Sequence, residues 1–198
     1  MSIILEAEAE AEAIVGVSDH AGWAVLMTVG PEGAVLDRRR VELVEPGVPV
    51  MPHHHDAQGL PPLQAIALVE RVRASALRSC RACLERLAGE IAPKIGGIAL
   101  RECQPLPKTV EERLSDYRAQ NVADWVMYRQ VLAEVAEERG WAVYWYDSKT
   151  VLADAARALG QQSIDALLRK IGAELGPPWQ KDHKLVMVAA LAALAARA

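Results

Sequence analysis

Three acids, far apart along the chain, stand at points where chemistry could gather. Asp19 follows the apolar run Ile14-Val15-Gly16-Val17, at the place where the chain turns back through His20-Ala21-Gly22. Glu102 ends a second apolar run, Ile95-Gly96-Gly97-Ile98-Ala99-Leu100, after Arg101, and Asp182 opens the last helical stretch in Lys181-Asp182-His183-Lys184. A carboxylate at the end of a buried strand is held by a rigid element yet can face a cleft. Two such groups side by side repel, and one pKa rises, unless a cation sits between them. Hard oxygen donors of this kind suit Mg²⁺ or Mn²⁺. Each acid also has a plain structural use: Asp19 as a turn former, Glu102 as a partner for Arg101, Asp182 as a helix cap.

Other groups of chemical interest are weaker. His53-His54-His55-Asp56 lies in a loop, where adjacent residues rarely converge on one ion, and helical His spacing is missing. Cys80 and Cys83 lack a second pair, which disfavours zinc. Arg38, Arg39 and Arg40, with Arg71, Arg73, Arg78 and Arg81, could line a phosphate-binding face, although a solvated salt-bridge surface is favoured. Trp125, Tyr128, Trp141, Trp145 and Tyr146 read as core aromatics, while Trp179, near Asp182, is placed to stack a base. Phosphate loops of the Walker type, a GxGxxG turn and a Ser-His-Asp order do not stand out.

The elements that must position the acids follow from patterning. Two β-rich runs around Ser18–Gly22 predict a hairpin. A turn at Gly30-Pro31-Glu32-Gly33 then leads into a third strand over Ala34–Val44. Pro, Gly and His make residues 45–62 a loop, and a 3.6-residue apolar period predicts a helix over Leu63–Ala88. The wholly apolar Ile95–Leu100 reads as a central strand covered on both faces. A long helix is expected over Thr109–Arg139, stopped at Gly140. A fifth strand over Ala142–Tyr146 follows, ending at Asp147. Three helices, about Thr150–Leu159, Ser163–Leu175 and Asp182–Arg197, close the chain. A meander followed by crossovers implies an α/β fold, a mixed five-stranded sheet with helices on both faces. Its first and fourth strands are neighbours, which brings Asp19 and Glu102 to one edge.

Composition sets the bounds. The 198 residues, 21.5 kDa, make one domain over residues 14–198, with residues 1–13 an acidic lead-in in which Glu6–Ala13 alternates Glu and Ala. Hydrophobic residues at 52% can fill a core, and the net charge of −4 argues mildly against a nucleic-acid coat protein. Three cysteines and no signal-peptide pattern lead to the expectation of a cytoplasmic protein with reduced thiols, without a membrane span.

In this element order the chain resembles the ribonuclease-H-like superfamily, and within it the RuvC-type Holliday-junction resolvases. The likeness covers nearly all of residues 14–198. Its local matches are IVGVSDHAGWAV, IGGIALRE and YDSK followed by KDHKLVMVAALAALA. It implies a metal-dependent nuclease that hydrolyses phosphodiester bonds of structured or branched DNA by a two-metal mechanism. Asp19, Glu102 and Asp182 would be the catalytic metal ligands, His183 an adjunct ligand, and Lys181 and Lys184 would hold the phosphate backbone. A homodimer is implied by the same analogy. The family's last helix usually carries a second acid three residues after the first, and Leu185 stands there in this chain. That departure motivates the alternative, a ribonuclease-H-like binding or assembly module without catalysis.

Overall fold

The computed structural model describes residues 12–197. Most of the acidic lead-in, residues 1–11, lies outside them. The elements are β1 (Ala13–His20), β2 (Trp23–Val29), β3 (Val35–Glu42), a π-helical turn (Pro52–Asp56), α1 (Pro62–Glu90), β4 (Ile95–Arg101), α2 (Val110–Ser115), α3 (Tyr117–Glu138), β5 (Ala142–Tyr146), α4 (Val151–Ala158), α5 (Asp165–Leu175) and α6 (Lys181–Ala195). The sheet order is β3-β2-β1-β4-β5, antiparallel across the meander and parallel at β1–β4 and β4–β5. This is the expected mixed five-stranded α/β architecture.

β1 lies at the centre and is buried along nearly its whole length, as its apolar sequence requires. The hairpin is tighter than the sequence suggests. Strand pairing runs to His20↔Trp23, so only Ala21 and Gly22 turn, and Gly22 takes a φ of 80°. Asp19 is therefore a strand residue paired with Ala24, and its direction is set by the pleat.

Two cores flank the sheet. Val15, Val17, Leu26, Ile98 and Leu100 pack with α1 and α3. Ile14, Met27 and Ala99 pack with α4, α5 and α6 on the other face. α6 approaches β1 very closely, because Gly16 has no side chain. A Cβ there would lie 2.0 Å from the Val186 carbonyl oxygen.

The predicted long helix over Thr109–Arg139 is two helices. Asp116 accepts hydrogen bonds from the Arg118 and Ala119 amides and so caps α3, which ends α2 one residue earlier. The π-helical turn falls inside the predicted loop and is held from outside, by Asp124 of α3. No described helix is long and apolar enough to cross a membrane.

Candidate functional site

Strand alternation decides where the three acids point. Val15, Val17 and Asp19 face α1 and α3, whereas Ile14, Gly16, Ser18 and His20 face α6. On the α3 side, Asp19 is completely buried and meets the guanidinium of Arg129. Arg129 Nε lies 2.8 Å from both carboxylate oxygens, and its Nη1 donates to the Glu102 carbonyl oxygen at 3.2 Å. Arg129 thus ties the end of β1 to the end of β4. Asp19 is linked through Arg129 to the backbone of Glu102, and the positive charge there is a guanidinium.

On the opposite face, Asp182 sits over the β1 terminus. The contact at Gly16 fixes this position. From Val186 back to Asp182 is four helical residues, about 6 Å, and Gly16 to Ser18 is two strand residues, about 6.6 Å. α6 runs against β1, so Asp182 reaches Ser18 and His20. Ser18 Oγ donates to one carboxylate oxygen at 2.9 Å, and His20 Nε2–H donates to the other at 3.1 Å. His20 stacks on Trp23 at 3.9 Å, and the Arg40 guanidinium lies 4.0 Å from the same indole.

The three acids expected to share an ion therefore do not share one pocket. Asp19 leaves β1 on the α3 face, whereas Asp182 of α6 meets Ser18 and His20 on the other face, and both Asp19 oxygens already face a cation. Glu102 is exposed beyond the end of β4, where its amide donates to the Tyr146 carbonyl. Among the described residues, no group of three His, Cys, Asp or Glu side chains is arranged to hold a metal ion. As placed, Asp19, Glu102 and Asp182 do not form one set of ligands for a divalent ion.

His183 has a structural use instead. Its Nδ1 accepts from the Gln180 amide at 3.2 Å, which requires that nitrogen to be unprotonated. Burial, and then the nearby charge of Arg38, hold its pKa below the ordinary histidine value, with Asp182 opposing. Lys181 and Lys184 are exposed on the first turn of α6. Trp179 packs on Gly172 of α5, an indole held by the fold.

Of the seven arginines expected to form a solvated salt-bridge surface, Arg39, Arg40, Arg73, Arg78 and Arg81 pair with acids, and Arg71 has no ion pair among the described residues. Arg73, Arg78 and Arg81 pair with Glu134, Glu45 and Glu138. Arg39 pairs with Asp37 and Glu90. Arg38 instead donates to the carbonyls of Gly176 and Pro178, and so fastens the segment that leads into α6.

Arg129 also lines a polar cleft of about 540 Å³ at the carboxyl ends of β4 and β5, with Arg101, Glu102, Asn121, Trp125 and Lys149. The ends of parallel strands are where ligands of open α/β sheets bind. Trp125 is half-buried there, and Trp145 is exposed, so neither belongs to the core as expected. Tyr128, Trp141 and Tyr146 do. Cys103, also on the cleft wall, has its thiol pushed up by burial, against the pull of Arg129, and so stays protonated.

Sequence reasoning passed over Ser18, His20 and Arg129. The first two follow from counting faces along β1. Arg129 had a signal too, an arginine inside the apolar stretch Val126-Met127-Tyr128-Arg129-Gln130-Val131.

No family model and no curated protein matches the sequence. Solved structures do match. RuvC of T. thermophilus in complex with Holliday junction substrate superimposes with a TM-score of 0.50 and 17% identity, over 94% of this chain and 95% of that one. A second structure, of Thermus thermophilus RuvC, gives a TM-score of 0.48 and 17% identity, over 93% and 95% of the two chains. The fold of this chain is thus ribonuclease-H-like, of the RuvC type.

Proposed function

We propose that this chain is a ribonuclease-H-like module that binds branched or structured DNA without cutting it by a metal-dependent route. One observation carries the reading: Arg129 stands against both oxygens of Asp19, where a two-metal nuclease would need a free carboxylate. A buried, bonded guanidinium satisfies the carboxylate and repels a divalent cation from the same spot. Asp182, held by Ser18 and His20 on the other face, supports the same reading.

DNA binding is supported by the fold likeness to a protein solved with a Holliday junction and by the chemistry of the cleft. Arg101 and Lys149 offer charge to a phosphate. Trp125 offers a ring face for an unpaired base, of the kind found where strands exchange or end. Lys181 and Lys184 extend the positive charge to the other side of the β1 terminus.

The competing reading is a Mg²⁺- or Mn²⁺-dependent nuclease with Asp19, Glu102 and Asp182 as catalytic ligands and His183 beside them. It is favoured by the RuvC-type fold and by the approach of Asp19 and Glu102 through Arg129. An end-labelled four-way junction separates the two. The module retards the junction in a gel and leaves it intact with Mn²⁺ present, whereas cutting that Asp19→Asn abolishes establishes the nuclease.

A further inference from the structure

The cleft at the carboxyl ends of β4 and β5, about 540 Å³, has room for one nucleotide and not for a duplex. Its wall is more particular than a general DNA contact requires. Asn121, Trp125 and Arg129 follow one another at four-residue intervals and so form one row along α3. At the end of that row Arg129 is held by Asp19, and its Nη1 donates to the Glu102 carbonyl at 3.2 Å. Trp125 lies one turn back, about 6 Å along the helix. Glu102 is thus about one helical turn from a half-buried indole, and both line the same cleft.

The groups left open on the wall define what sits there. Glu102 spends its backbone inside the protein, its amide donating to the Tyr146 carbonyl at 2.9 Å. Its carboxylate is exposed and has no hydrogen-bond or ion-pair partner among the described residues. Asp147 differs, since one of its oxygens accepts from the Lys149 amide at 2.8 Å, a turn that brings Lys149 to the border of the cleft. Lys149 and Arg101 have no carboxylate partner among the described residues, whereas Arg129 is neutralised by Asp19. Asn121 and Gln104 each donate and accept, and so choose no base. The open groups are therefore a ring face, one free carboxylate and two unpaired cations.

What an unpaired base can offer a carboxylate is its Watson–Crick edge, which a duplex hides. Guanine alone among the four bases carries two adjacent donors there, N1–H and the N2 amino group. They match the two carboxylate oxygens as the guanidinium fork does. Adenine and cytosine set their amino group beside a ring nitrogen that accepts, and thymine sets its single N–H between two carbonyls. Each of these three brings an acceptor against the carboxylate.

We infer that the cleft binds an unpaired guanine nucleotide, its base stacked on Trp125, its N1–H and N2–H donating to Glu102, and its phosphate at Lys149 and Arg101. The inference rests on the proposed reading for the stacked base at Trp125, and it names the base. The guanine is either extruded from a DNA strand or part of a free nucleotide, and the chemistry of recognition is the same.

Two arms test this on the full chain in EDTA. Calorimetric titration with 5′-GMP, 5′-AMP and 5′-IMP, which lacks the N2 amino group, reads the free nucleotide. Gel retardation of duplexes carrying a single bulged guanine or a single bulged adenine reads the DNA. The expected preference for guanine over adenine is at least about tenfold, with IMP below GMP. Glu102→Gln, an exposed substitution, should bring guanine down to the level of adenine in whichever arm shows the preference. A preference in the titration alone makes the free nucleotide the source, and one in the bulged duplex makes it DNA. Equal binding of guanine and adenine in both arms, a preference that survives Glu102→Gln, or no binding in either arm would overturn the inference. Retention of both bulged duplexes alike would do so while leaving the DNA-binding module standing. Conversely, a Glu102-dependent GMP preference with no DNA retained would sink the module reading and leave the inference.

Discussion

Replacing Arg129 with Met isolates the ion pair at the centre of the account. The Asp19 side chain has no exposure and the Arg129 side chain 8%. The substitution therefore leaves a carboxylate charge in a dry interior, facing Val17 and the α3 side of the core. Breaking one partner of a buried pair costs about 3–5 kcal/mol. At roughly 2–4 °C per kcal/mol for a domain of this size, the melting temperature should fall on the order of 10 °C. Removing both partners together, Asp19→Leu with Arg129→Met, leaves no charge stranded and should recover most of that loss. Thermal denaturation followed by circular dichroism, in EDTA, reads both numbers. The account also requires Asp19→Asn to lower the melting temperature, because it removes the acceptor charge from Arg129. Were Asp19→Asn to raise stability in EDTA, the carboxylate would be under repulsion rather than paired. The assignment of Arg129 as its counter-ion would then fail.

Three further expectations follow from the same contacts. Gly16→Ala should lower the melting temperature strongly, by about 3 kcal/mol or more, since its methyl group meets the backbone of α6 at 2.0 Å and one element must move; an unchanged melt would show that α6 is not anchored there. His183 has a folded-state pKa below its unfolded value, so the unfolded chain takes up the proton first as pH falls. Its contribution is complete above about pH 6.5 and is lost as pH falls from there toward the folded pKa. The melting temperature of the native chain should thus drop more steeply on acidification than that of His183→Gln, and parallel curves would refute the capping role. Trp125→Ala should weaken binding to a branched duplex by about tenfold, within the 1–3 kcal/mol of a stacked base, with little change in melting temperature; equal affinity would move DNA away from the cleft.

The architecture was largely legible because β1, β4 and β5 are apolar runs bounded by Gly, Pro and acids, and such runs have few ways to be buried. The boundary at Asp116 was missed because the helical pattern continues on both sides of it. Only the side chain's hydrogen bonds to two amides reveal the cap. The candidate site was less legible for two reasons. Reading Ser18–Gly22 as turn concealed the pleat that sends Asp19 to one face and Ser18 and His20, the partners of Asp182, to the other. The partner of Asp19 lies 110 positions away in a helix, and no local pattern links them. Likewise, His53 gains meaning only from Asp124, 71 positions on.

The most direct measurement follows an end-labelled four-way DNA junction incubated with the native chain and Mn²⁺, with the melting temperature recorded alongside. Retention of an uncut junction, with no metal-dependent rise in melting temperature, is the predicted result. Strand cleavage that disappears in Asp19→Asn, accompanied by stabilisation of the native chain by Mn²⁺, would contradict it.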